Sequence, residues 1–110
     1  MELYKIFRAP EWDALAAAGE TAGAPIDLQD GFVHLSTRDQ VEETVRLHFA
    51  GAANLVLVAV DEGRLGEALR WEASRGGALF PHLFRSLRMD DVLWHRPLPK
   101  RHGGHDFAWV

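Results

Sequence analysis

The chain carries six histidines and no cysteine, so any acid–base, nucleophilic or ligand-holding chemistry has to run through imidazoles, carboxylates and hydroxyls. His34 is the most informative of them. It lies in Asp30-Gly31-Phe32-Val33-His34-Leu35-Ser36, between apolar neighbours, on an extended stretch that leads into a helix. Residues two apart on a strand share a face, which groups Phe32, His34 and Ser36 and sets Val33 and Leu35 opposite. A strand end followed by a helix start gathers free N–H groups and commonly takes ligands. On that reading His34 and Ser36 hold a ligand. On the alternative, His34 is a core histidine satisfied by a backbone carbonyl and Ser36 caps the helix.

His82, in Phe80-Pro81-His82-Leu83-Phe84, places a stacking aromatic and a polar atom within one short stretch. The alternative is an edge-strand histidine exposed to water. Glu72 follows Trp71, and a carboxylate partly desolvated by an indole suits acid or base work. Otherwise Glu72 is a surface charge paired with Arg70 or Arg75. His48 and His95 read as ordinary helix and strand residues. His102 and His105 sit among glycines in a polar tail, which does not pre-organise the three or four ligands of a metal site. No Gly-x-Gly-x-x-Gly loop, Walker-type loop, Gly-x-Ser-x-Gly elbow or His-Glu-x-x-His occurs.

The elements that must position these groups follow from hydrophobic spacing. Leu3, Tyr4, Ile6 and Phe7 predict a first strand. Pro10 opens a helix containing Trp12 and Leu15, and Gly19 ends it. Residues 20–30 lack periodicity and read as a loop, a lid or pocket wall. Residues 31–37 predict a strand. Thr37 with Gln40 forms a capping box for a helix through about Ala50. Residues 54–60 are an unbroken apolar run, a central strand covered on both faces. Further short strands are expected over 69–73, over 79–84 (at an edge or bulge, because of Pro81) and over 91–98. Helices and strands interleave irregularly, which predicts an α+β domain with a curved, mainly antiparallel sheet.

Composition narrows the function classes. The 110 residues include 12 basic and 16 acidic side chains, net −4, which suits one domain and argues against bulk nucleic-acid binding. The longest apolar run is far short of the roughly 20 residues of a membrane span. The N-terminus has no basic lead and apolar core of a secretory signal, so a cytoplasmic protein is expected. The C-terminal residues 107–110 can dock on the domain or on a partner, and no oligomeric state is read from the chain.

Leu3-Tyr4-Lys5-Ile6, Trp12, the Asp30–Ser36 motif, the strand ending in Asp61 and Phe80-Pro81-His82-Leu83 together resemble the small bacterial family called domain of unknown function 952. The resemblance spans about residues 3–98, leaving a tail over 99–110. Phe84-Arg85 replace the Tyr-Gly that usually continues the second motif, so any role for a tyrosine hydroxyl there is lost. That family looks similar to the ADP-ribosyltransferase superfamily, which implies a split, curved antiparallel sheet clasping NAD. In that superfamily a first-strand side chain meets the ribose and a later Glu steadies the oxocarbenium-like transition state. Here Lys5 stands at the first position, and Glu72 and His82 compete for the last, which is not the standard His-Tyr-Glu set. The expectation is a pocket for a small molecule or nucleotide, with NAD as the implied cofactor. Lys5, His34, Ser36 and Phe80 would bind it, and Glu72 and His82 would be catalytic. The alternative is a non-catalytic binding module on the same fold.

Overall fold

The computed structural model describes residues 1–107, the side chain of Arg75 excepted. In chain order the elements are β1 (Glu2–Arg8), α1 (Ala9–Ala18), β2 (Glu20–Thr21), α2 (Pro25–Asp30), β3 (Val33–His34), α3 (Arg38–His48), β4 (Leu55–Asp61), α4 (Glu62–Leu65), β5 (Leu69–Ser74), β6 (Ala78–Leu83), β7 (Leu87–Arg88), β8 (Val92–Leu98), β9 (Lys100–Arg101) and β10 (Gly104–His105). The protein is α+β, with several antiparallel sheets and few helices. One three-stranded sheet has the order β1-β4-β8 and a second the order β3-β6-β5, while β2 pairs with β7 and β9 with β10. The two larger sheets meet where Tyr4 and Ser36 form a single bridge, exchanging N–H···O bonds of 2.8 and 2.9 Å. No helix among the described residues is long and apolar enough to cross a membrane.

The central strand β4 is the apolar run read from the sequence, and Leu55, Leu57, Val58, Ala59 and Val60 are all buried. Its two faces serve two clusters. On one, Leu3, Phe7, Val58 and Val60 pack with Trp12 and Leu15 of α1, Val33, Leu35 and Leu83. On the other, Tyr4, Ile6, Leu57 and Ala59 pack with Val41 and Val45 of α3. The alternation of β1 places Lys5 on the same face as Leu3 and Phe7. Its ammonium is therefore forced into the interior and must find a carboxylate there.

Several expectations are corrected. Residues 20–30 hold β2 and α2 rather than a loop. Pro25 stands in the first turn of α2, the Asp27 carboxylate accepts the Ala24 N–H at 2.7 Å, and Gly31 ends the helix at φ 85°. That pairing of an early proline with a terminal glycine is a helix signal even over six residues. The predicted strand over 31–37 shrinks to Val33–His34, because Phe32 precedes the pairing and Ser36 already belongs to the bridge with Tyr4. The helix α3 stops at His48, with Phe49 capping it, short of Ala50.

Pro81 lies in the middle strand β6, not at an edge. Its carbonyl accepts the Leu35 N–H at 3.0 Å. The missing proline donor faces the same side, just beyond the end of β3, where no ladder partner is left to disappoint. Asp91 belongs to a 3-10 turn before β8. The glycine-rich tail is a hairpin, β9–β10, tied down where His105 Nε2 donates to the Ala52 carbonyl at 2.8 Å. Phe107 packs on the cluster beneath α3; Ala108, Trp109 and Val110 lie outside the described residues.

Candidate functional site

The short ladder between β3 and β6 places His34 directly opposite His82. Their ring centroids are 5.5 Å apart and nearly edge to face. Phe32 covers both, lying 4.1 Å from the His82 ring in a stacked arrangement and 4.5 Å from that of His34. With Lys5, Ser36 and Phe80, the two histidines line one cavity of about 700 Å³ whose remaining wall is largely apolar. A core histidine bonded to a carbonyl and an exposed edge histidine are both ruled out: the His34 ring bonds carboxylates, and His82 is buried.

His82 is held from behind by Glu72, whose Oε1 lies 2.7 Å from Nδ1. In the β5–β6 register Arg70 faces His82 and Glu72 faces Phe80, so the contact is a diagonal one across the sheet. A carboxylate only accepts, so Nδ1 carries the proton and a neutral ring keeps Nε2 as its acceptor. Nε2 has no partner among the described residues. Trp71 does not cover Glu72, because neighbours on a strand point to opposite faces. Glu72 is 45% exposed and meets the cavity through His82 rather than lining it.

Asp27 organises the other half of the site. It is 1% exposed and accepts four hydrogen bonds: from Lys5 Nζ at 2.7 Å, Ala24 N at 2.7 Å, His34 N at 2.9 Å and His34 Nδ1 at 2.6 Å. Burial alone would push its carboxyl up. The His34 hydrogen bonds and the Lys5 charge outweigh that and hold it below the ordinary 3.8. Burial acts in the opposite sense on Lys5, lowering it from 10.5 against the pull of Asp27. The second ring nitrogen of His34, Nε2, meets Asp30 Oδ2 at 2.9 Å. Ser36 Oγ pairs with Thr44 Oγ1 of α3 at 3.1 Å.

Lys5, His34, Ser36, Phe80 and His82, singled out separately in the sequence, thus share one concavity, with Glu72 one contact behind. Asp27, Asp30 and Phe32 were not singled out. The signal for Asp27 was available: an acid two residues after Pro25 in a short helix closed by Gly31 is placed to cap that helix and to turn inward. Phe32 shares the strand face of His34, which could have marked it too.

Fold and site together define an α+β protein in which two antiparallel sheets, joined at one bridge, enclose a cavity built on a cross-strand histidine pair. The chain belongs to the family described as protein of unknown function (DUF952), whose model matches residues 6–95. It is similar to protein CC0527 from Caulobacter crescentus. The crystal structure of that protein superposes with a TM-score of 0.93 at 48% identity, covering 96% of this chain and 94% of that one. Its solution NMR structure gives 0.85 at 49% identity, covering 94% and 90%. No curated protein matches the chain.

Proposed function

We propose that the cavity binds a nucleotide-type small molecule, with NAD the foremost candidate, on an ADP-ribosyltransferase-like arrangement of two sheets and in a cytoplasmic setting. The observation that carries this reading is the convergence of Lys5, His34, Ser36, Phe80 and His82 on one cavity of about 700 Å³. That is within the roughly 300–1,000 Å³ of small-molecule sites. Phe80 offers a face for a planar ring, Ser36 offers a hydroxyl for a ribose, and His34 would join it once the exposed carboxylate of Asp30 gives up Nε2. The Glu72–His82 pair is the group suited to proton transfer. As the bond between the anomeric carbon and a pyridinium nitrogen breaks, nicotinamide leaves neutral. An incoming hydroxyl bonds the same carbon and passes its proton to His82 Nε2, and the imidazolium so formed is stabilised by Glu72.

The test is a titration of ¹⁵N-labelled protein with NAD to millimolar concentration, followed by an assay for released nicotinamide. Shifts at Ser36, His34 and His82 are expected, with release that disappears in His82→Ala. No shifts at those residues would sink the reading.

A second reading, a binding module without turnover, is favoured by one observation. The Lys5 ammonium and both ring nitrogens of His34 are already taken by carboxylates, which leaves His82 Nε2 as the one open nitrogen of the histidine pair. Saturable binding without nicotinamide release would select it.

A further inference from the structure

The two carboxylates on His34 are unlike each other. Asp27 is fully buried and spends its two oxygens on four donors. Asp30 is 36% exposed on its side chain and lines the cavity, and its contact is with His34 Nε2 at 2.9 Å. It is also the last residue of α2, the end at which a helix's free carbonyls disfavour a negative charge. Gly31 follows at φ 85°, a turn that hands the chain directly to Phe32 and His34. Asp27 therefore fixes the ring, whereas Asp30 is held mainly by the ring it touches.

Set into that largely apolar wall are more groups able to carry a positive charge than a negative one. Lys5, Arg8, His34, His48 and His82 line it against two carboxylates, Glu11 and Asp30. The Glu11 carboxylate is occupied at the start of α1, accepting the Arg8 N–H at 2.8 Å. Both ring nitrogens of His34 face carboxylates, which only accept, so both carry protons; if Asp30 turns out to solvent, Nε2 is left as a free donor at the cavity wall.

We infer that Asp30 occupies the position of a ligand's phosphate group and is displaced from His34 Nε2 when that ligand binds. This rests on the reading that the cavity takes a nucleotide, and it adds a ligand class and a specificity residue to it. Asp27 stays in place and keeps the ring oriented, so the exchange is of one anion for another at a single nitrogen. A side chain that fills a site nine-tenths of the time lowers the apparent affinity of the true occupant about tenfold.

The experiment titrates wild type, Asp30→Asn, Asp30→Ala and Glu11→Gln with inorganic phosphate and, separately, with NAD. The imidazole nitrogens of His34 are followed by long-range ¹H–¹⁵N correlation, and binding by calorimetry. Asp30→Ala is expected to bind phosphate about tenfold tighter than wild type, with the His34 Nε2 resonance moving and Nδ1 holding still. Asp30→Asn, which keeps an acceptor but loses the charge, falls between and guards against a folding artefact in the alanine variant. Glu11→Gln removes an equal charge from the same cavity without touching His34, and should gain much less.

A gain in Asp30→Ala no larger than that in Glu11→Gln, or an unmoved Nε2 resonance, overturns the inference. The two levels separate cleanly. If wild type binds NAD while Asp30→Ala binds phosphate and NAD no better, the displacement idea fails and the proposed function stands. If NAD binds no variant but phosphate reaches His34 in Asp30→Ala, the proposed function fails and Asp30 is still the occluding group.

Discussion

Substituting Asp27 by Asn tests the central electrostatic argument. The change is nearly isosteric, but it replaces a carboxylate that accepts four hydrogen bonds with an amide that accepts at one atom and donates at the other. Whichever way the amide is turned, an NH₂ group faces a donor. The larger effect falls on Lys5, which is 5% exposed and is left without its counter-charge. Removing one partner of a buried ion pair costs about 3–5 kcal/mol, since the surviving charge stays desolvated and uncompensated. For a domain of this size each kcal/mol moves the melting temperature by about 4–8 °C, so a drop of more than about 10 °C is expected. Thermal and urea denaturation followed by circular dichroism measure it. A second variant supplies the sharper comparison. If the damage comes from an orphaned ammonium, Lys5→Met added to Asp27→Asn should recover about 1–3 kcal/mol, a coupling typical of contacting residues. A single-variant cost below about 1 kcal/mol, or a double variant no more stable than Asp27→Asn, would refute the reasoning.

Asp91, like Asp27, is held below 3.8: burial pushes it up, but hydrogen bonds from Arg85 and the Arg88 N–H prevail. The stability both carboxylates confer is present above the ordinary carboxylate value and lost as pH falls through their folded values, below pH 3.8. Arg85 grips Asp91 through both nitrogens at 2.8 and 3.0 Å, so Arg85→Ala should shift the acid-unfolding midpoint to higher pH; an unchanged midpoint contradicts this. Glu72→Gln should cost no more than about 1 kcal/mol, because Glu72 is half-exposed, yet it should change the His82 ring ¹⁵N pattern; an unaltered pattern would mean that Glu72 does not set the tautomer. Gly31→Ala should lower stability by about 1 kcal/mol through backbone strain alone, since a Cβ there meets nothing within 4 Å. A melting temperature equal to wild type would show that the turn relaxes freely.

The parts of this molecule that were legible in the sequence are those written in local patterns. The run through β4, the capping of α3 by Thr37 and Gln40, and the stop of α1 at Gly19 each depend on neighbours a few residues away. Pro81 misled because the rule against proline in inner strands counts both sides of a strand, while β3 is too short to reach the position where the donor is missing. The residues 20–30 misled because α2 is six residues long, too brief to display a periodic apolar stripe. Its buried face is carried by Asp27, a residue type that reads as solvent-facing until Lys5 is known to lie opposite. The bonds from Asp27 to Lys5 and from His82 to Glu72 join side chains on different elements, and no spacing rule announces them. The proximity of His34 and His82 is of the same kind: each motif could be read alone, but their meeting depends on a register.

That register has a consequence for how the site comes into being. The ladder joining β3 to β6 is two residues long and spans positions 34 to 82, so no contiguous fragment from either half of the chain contains the histidine pair. A pairing of such high contact order closes only after a large loop has been drawn in, and two rungs cannot hold it without the core on either side. The cavity is therefore an all-or-none product of complete folding: limited proteolysis, truncation or splitting of the chain between α3 and β6 should separate the histidine pair entirely rather than leave a weakened remnant of the cavity.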